Sequence, residues 1–421
     1  MEFNPNPNIN PDINPDTINP QTPPVNQQTP PAGYYAPNNP PQYNSPQYYN
    51  QQPYNAPSVV YQNNYNNGAA PQYHYGNPIP FVIDQRYYQE RQEKLRKRNA
   101  EKQKVSKIGN LMGASLIVCL VAASVFALLL EFLPNAFAYG NNFATDALIN
   151  IFYSVIVVGL TYFVFGVLLK KTKVSADQNE LYSINVSYNG AKNPKKAALL
   201  ILMAFGGCMA SNYITSILAM IMEGFGIDSG YTSMQEPSNI YDIIIMFIGT
   251  AVIPPLVEEY AMRGVVLSAL SKHSKMVAVF GSAFMFGVFH GNFTQIPFAF
   301  MCGLVFAYIT IVSGSLWPAI IVHALNNSLS CIDSVIRLYF DGDVADIFYY
   351  AVSIGALVLG AIALVFYLRA FKNDKELFKE EAGIITPREK TSKLLLSPVM
   401  IVATVLYVLQ AAIYAATSSM L

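Results

Sequence analysis

Two adjacent glutamates, Glu258 and Glu259, precede Arg263 in a stretch otherwise fit for lipid, and two histidines, His290 and His323, lie in the apolar segments that follow. A charged side chain at mid-bilayer costs roughly 2.5–3.5 kcal/mol, so three unpaired charges would cost on the order of 9 kcal/mol and need an offset. Glu259 and Arg263 are spaced i, i+4 and can pair on one helix face. Glu258 points about 100° away and is left available. One carboxylate can therefore be structural while its neighbour does chemistry. The competing reading from spacing alone is a cluster in which both glutamates share Arg263 and merely hold helices together.

The later segments shift that balance. Phe286 and His290 end an apolar, glycine-containing run, and His323 shares a face with Asn327, with Asn326 as its ambiguous neighbour. A lone intramembrane histidine is usually a helix-to-helix hydrogen bond. Two carboxylates, two imidazoles and an asparagine gathered between Glu258 and Asn327, with almost no ionisable residue in the other apolar segments, point instead to a site. His273, in a Ser-Lys-His-Ser-Lys turn, reads as a loop residue, and His74 lies in a low-complexity tail and carries no chemistry.

These residue types support water activation. A carboxylate in a low-dielectric setting can take a proton from water that a neutral imidazole helps to orient, while an Asn amide and a second imidazole stabilise a developing oxyanion. The same groups, Glu258, His290 and His323, could instead ligate one divalent metal, zinc by ligand type. No HExxH is present, so a zincin helix is excluded. Metal-free and metal-assisted versions both stay open.

The elements that must position this set are membrane helices. Over 421 residues, 52% are apolar and only 12% charged, and several runs approach the length needed to cross a bilayer. The sequence predicts an all-α, polytopic transmembrane bundle of about eight or nine spans with a disordered N-terminal tail. Residues 1–80 are rich in Pro, Asn, Gln and Tyr, with Asn-Pro steps at Asn4, Asn6, Asn10, Asn14 and Asn19 and Pro-Gln-Tyr repeats at Pro41, Pro46 and Pro71. Such a segment cannot bury a core. Its partner, if it docks or self-associates, is unknown.

Residues 81–107 form a basic juxtamembrane segment, read as a charged helix at the cytoplasmic membrane face. Additional transmembrane helices follow in 108–225, the site-bearing core in 240–336, and C-terminal helices in 348–421. Nine apolar stretches qualify as spans, Met276 to His290 among the weakest, and weak stretches could be re-entrant. The basic loops around Lys170–Lys196, Lys272–Lys275 and Lys372–Lys393 fall on one side and the Lys/Arg-poor loops on the other, which places the N-terminus in the cytoplasm and the chain as a multi-pass protein of the cell membrane. No apolar run opens the chain, so no cleavable signal peptide is expected. Four scattered cysteines without CxxC spacing read as packing residues. Net charge is zero, and the partners expected are the lipid bilayer and a peptide or membrane-protein substrate, with no nucleic acid. Pro254 and Pro255, just before the glutamates, should kink or break their helix and free carbonyls that only protein or a wet cavity could surround.

The ordered set Glu258-Glu259-x-x-x-Arg263, Phe286-x-x-x-His290 and His323-x-x-x-Asn327 resembles the CPBP intramembrane metalloproteases, the CAAX-protease and bacteriocin-processing group also called Abi. The preceding prolines, Gly264, Gly303 and Ser313 through Pro318 are similar too. The resemblance covers roughly Ile240 to Ser330. It implies an all-helical membrane endopeptidase with a hydrophilic cavity. By carry-over, Glu258 is the general base or ligand and His290 shares the water. His323 and Asn327 complete the site or the oxyanion hole, and Glu259 with Arg263 forms the supporting pair. One departure is Tyr260-Ala261-Met262, where the family commonly has Phe next to the arginine.

Other classes compete. Relatives linked to bacteriocin self-immunity or acting as membrane scaffolds keep such a fold without turnover. A proton-coupled transporter would also bury Glu, His and Arg, but should show internal repeats with matching broken helices, and only one Pro-broken acidic segment is present.

Overall fold

The computed structural model describes residues 85–131, 143–171, 193–227, 237–379 and 384–418; the Pro/Asn/Gln/Tyr-rich tail lies outside them. Among the described residues every regular element is helical. In chain order these are α1 (Gln85–Glu131), α2 (Phe143–Phe152), a π-helical stretch π1 (Tyr153–Leu160), α3 (Thr161–Lys171), α4 (Pro194–Gly224), α5 (Ile240–Met246), π2 (Phe247–Val252), α6 (Ile253–Glu259), π3 (Tyr260–Leu267), α7 (Ser268–Ser271), α8 (Lys275–Phe289), α9 (Gln295–Ser313), α10 (Trp317–Tyr339), α11 (Gly342–Ala370), a 3-10 segment (Lys372–Phe378), α12 (Pro387–Leu395) and α13 (Pro398–Ser418).

Eight of the resulting rods are long and apolar enough to cross a bilayer, which makes this a multi-pass membrane protein. The ninth expected span, α8, is 15 residues long. At 1.5 Å per residue it reaches about 22 Å, short of a hydrocarbon core of about 30 Å. Ser274 caps its start by accepting from the Val277 backbone N–H at 3.1 Å. Its end is a reversal through Gly291, at φ 65°, into α9. The α8–α9 hairpin thus turns at His290, inside the thickness that its longer neighbours span.

From Gln85 the basic segment is helical and continuous with the first span as one 47-residue rod, about 70 Å long, so its charged half extends beyond any bilayer. The basic elements meet at one end of the bundle. Lys102 and Arg98 of α1 hold Glu389 of α12 at 2.7 and 3.1 Å. Lys390 bridges Glu101 at 3.1 Å and the His273 carbonyl at 3.0 Å. Lys196 at the start of α4 pairs with Asp374 at 2.7 Å.

Helices pack closest where side chains are absent. A Cβ on Gly206 of α4 would lie 2.7 Å from the Ala356 carbonyl oxygen of α11, the small-residue contact by which helices associate in lipid. A Cβ on Gly303 of α9 would lie 2.9 Å from the Ala283 Cα of α8. The four cysteines are free and buried.

Candidate active site

Five helical stretches follow one another from Ile240 to Ser271 without an intervening loop, so the two prolines do not end the helix, and π-helical turns flank them. Asn239 starts it, accepting from the backbone N–H groups of Tyr241 and Asp242 at 2.9 and 3.1 Å. Pro254 and Pro255 sit in the first turn of α6, and they stand where the i+4 and i+5 donors to the Thr250 carbonyl would be. That carbonyl cannot be satisfied within its own helix in either the α or the π register. Asn327 of α10 satisfies it, its Nδ2 donating to Thr250 O at 2.9 Å. The freed carbonyl expected from the prolines is thus covered by the very asparagine that ends the last motif.

Glu259 and Arg263 are both fully buried and joined Oε1 to Nη1 at 3.1 Å. The same Oε1 lies 3.0 Å from Nδ1 of His323. Arg263 also donates from Nη2 to the Gly303 carbonyl at 3.4 Å. Its guanidinium is held between two rings, 4.5 Å from the centroid of Phe286 and 5.2 Å from that of Phe306, contacts that favour a desolvated cation. Phe306 in turn stacks on His323, with centroids 5.5 Å apart and planes at 26°. Arg263 Nε and Glu259 Oε2 are buried without a protein partner.

Glu258 faces differently. Its side chain keeps 12% of its exposure, and the nearest ion-pairing group among the described residues is Nε2 of His323 at 3.9 Å. Because a carboxylate only accepts, the contact with Glu259 assigns the proton of a neutral His323 to Nδ1 and leaves the Nε2 lone pair facing Glu258. A gap of 3.9 Å is too long for a direct hydrogen bond and suits a bridging water. Two acceptors directed at one water would hold both of its hydrogens and leave its oxygen lone pairs free.

His290 is half-buried at the end of α8, and its Nδ1 is 2.7 Å from the Phe286 carbonyl, so that nitrogen carries the proton and Nε2 is open. Both imidazoles lean edge-on against Phe286, with centroids 4.9 Å away for His290 and 5.8 Å for His323. The fold therefore brings together all seven residues singled out in the sequence, but with distinct surroundings. Asn327 is placed on a backbone carbonyl, Asn326 donates to Asn327 Oδ1 at 3.3 Å, and His273 lies in the turn before α8, outside the site.

Imidazole and carboxylate are zinc's usual donors, and Glu258, His290 and His323 carry them. Among the described residues, however, no three His, Cys, Asp or Glu side chains converge as a set able to hold an ion. As placed, these three side chains do not meet as a ligand set.

Two contributors escaped the sequence reading. Phe306 is one aromatic among many in an apolar helix and carries no signal apart from its spacing of three from Gly303. The Thr250 carbonyl is backbone, and only its relation to the two prolines, four and five residues on, could have exposed it.

Comparison with known families matches residues 240–329 to the type II CAAX prenyl endopeptidase Rce1-like family. Comparisons with curated proteins and with solved structures gave no match. The matched stretch runs from the start of α5 into α10 and contains every residue of the cluster just described. Residues 240–329 are thus similar to an Rce1-like type II CAAX prenyl endopeptidase domain, consistent with the resemblance to the CPBP/CAAX protease family.

Proposed function

We propose that the protein is an intramembrane endopeptidase that hydrolyses a peptide or membrane-tethered substrate with water activated by Glu258. The observation that carries this reading is the division of labour between neighbouring carboxylates: Glu259 anchors His323 through Nδ1 at 3.0 Å, and His323 turns Nε2 toward Glu258 at 3.9 Å. Glu258 takes a proton from the water held between them, and the hydroxide oxygen attacks the scissile carbonyl carbon. The carbonyl electron pair moves onto oxygen. When the C–N bond breaks, Glu258 returns the proton to the leaving amine. His290, with Nε2 open at the edge of the same ring cluster, is a second group to hold the water.

Arg263 and the Phe286–Phe306 pair act on Glu259 and His323 and so position the reacting groups. Asn327 has one N–H on Thr250, and in this reading its first task is to lock α10 against the proline-bearing helix, which sets the His323–Glu258 distance. The end of the bundle where Lys102, Lys196, Lys390 and the His273 turn meet is proposed to be cytoplasmic, because basic residues flanking spans are retained on that side.

The test compares peptide termini across the membrane and secreted proteome of the host carrying wild-type protein or Glu258→Gln at matched abundance. Termini that vanish with the substitution establish the activity and name its substrates. An unchanged set with an intact host phenotype would make the carboxylate architectural and the protein a scaffold.

A further inference from the structure

The C-terminal helix α13 lies outside the family match, yet one of its residues stands beside Gly291, in the turn that follows His290. Its buried stripe is Met400, Ala403, Tyr407 and Ala411, and its mid-span hydroxyls are satisfied, Thr404 by the Met400 carbonyl at 2.9 Å and Tyr407 by the Leu116 carbonyl at 3.2 Å. Gln410 is the exception. It flanks the buried stripe, remains exposed, and its amide makes no hydrogen bond among the described residues. A Cβ placed on Gly291 would lie 3.2 Å from Gln410 Oε1 and 3.3 Å from Nε2, so the amide rests on the turn residue immediately after His290.

That position is costly unless it is used. Gln410 is 12 residues from Pro398 and 8 from Ser418, hence well inside a span, and an amide left unpaired in hydrocarbon loses the hydrogen bonds it would make in water. The His290 turn also lies within the membrane thickness, because α8 is too short to carry it across. An exposed, unpartnered amide beside the turn that follows the half-buried His290, at mid-span, matches what an extended peptide requires: one N–H donor and one C=O acceptor side by side, to meet a backbone C=O and N–H. Gly291 permits this approach twice over, since its φ of 65° is unfavourable for residues with a Cβ and any Cβ there would press on the amide.

We propose that Gln410 is a substrate-positioning residue, binding the backbone of the peptide next to the bond presented to Glu258 and His290. This rests on the endopeptidase reading. The experiment therefore carries Glu258→Gln as a control beside Gln410→Leu, Gln410→Met and Gln410→Asn, all purified as full chains into liposomes. The probe is a fluorophore–quencher peptide spanning the most abundant terminus that disappears in Glu258→Gln cells.

Replacing the amide with Leu or Met removes a polar group from lipid and should leave the melting temperature unchanged or raised. The expected result is a roughly five- to tenfold rise in KM with kcat within about twofold, the loss of one substrate hydrogen bond, and partial recovery of KM in Gln410→Asn. An unchanged KM in Gln410→Leu or Gln410→Met overturns the proposal while leaving the endopeptidase reading intact. A fall in melting temperature with an unchanged KM also overturns it, by assigning Gln410 to packing. If no terminus depends on Glu258, the endopeptidase reading falls and the Gln410 proposal with it.

Discussion

Glu258 and Glu259 are neighbours in sequence and opposites in environment. Glu259 is fully buried between Arg263 and His323, whereas Glu258 retains exposure and has, as its nearest ion-pairing group among the described residues, the far nitrogen of that same histidine at 3.9 Å. A helix makes the difference with a single step of about 100°. A buried ion pair is strongly destabilised when either partner is removed, so one that also holds an imidazole ties that ring's position to the fold. A half-open carboxylate contributes little to rigidity and is free to exchange protons. Placing the two side by side ties the geometry of the reacting pair to the stability of the structural one.

The contrast breaks most sharply if the two glutamates are exchanged in effect. Glu258→Gln is expected to lower cleavage by about 10²–10⁴-fold, the usual worth of a positioned general base, with no loss of thermal stability in detergent. Glu259→Gln should lower both, because it releases His323 and strands Arg263. Equal stability of the two variants would show that the sealed pair is not structural. Arg263→Ala tests the same claim from the other side. It leaves a buried carboxylate without its cation, and a destabilisation of about 3–5 kcal/mol is expected, read as reduced accumulation and an early melt; wild-type accumulation would refute it.

Much of this was legible in the sequence, and the reasons are physical. Charges in lipid are rare enough that Glu258, Glu259 and Arg263 stand out, and an i, i+4 spacing survives the widening of π3 closely enough for the pair to form. The two ends of the hairpin at His290 were less legible, because a 15-residue apolar run is equally compatible with a short span and with a partial one. Tertiary partners were not legible at all. Nothing local distinguishes Phe306 from the other aromatic residues, and Gln410 is 120 residues beyond His290, outside every motif. The basic segment was expected as a charged helix at the membrane face, and its junction with the first span was not legible, because helical propensity does not stop where hydropathy changes and α1 continues through.

Asn327 sharpens the comparison at smaller amplitude, because it separates positioning from oxyanion stabilisation. Asn327→Ala leaves the Thr250 carbonyl without a donor, for about 1–3 kcal/mol. Pro254→Ala restores a backbone N–H at the i+4 position and lets the helix satisfy that carbonyl itself. The double variant Pro254→Ala/Asn327→Ala is therefore expected to be more stable than Asn327→Ala alone, with a coupling on the order of 1 kcal/mol in a double-mutant cycle. Additive losses would mean that the Thr250 contact carries no weight, and recovery of stability without recovery of turnover would assign the second amide N–H of Asn327 to the chemistry.

The smallest effect concerns His273, at the basic end of the bundle and away from both glutamates. Burial, and then the nearby positive charges of Lys390 and Lys104, hold its imidazole below the ordinary range, with Lys272 acting in the same direction and Glu101 opposing. The folded state consequently binds this proton less tightly than the unfolded chain does. Below the unfolded value of about 6.5 the unfolded state takes up more protons, so stability should fall as the pH drops through that value and be fully present above it. The slope cannot exceed about 1.4 kcal/mol per pH unit for one group. His273→Asn, melted from pH 7.5 to 5.0, should flatten that dependence while leaving the pH profile of cleavage unchanged, since the proton-transferring carboxylate lies elsewhere. A cleavage profile that shifts with His273→Asn would show that the His273 turn and the site titrate as one unit, and would dissolve the separation between the half-open carboxylate and the rest of the protein.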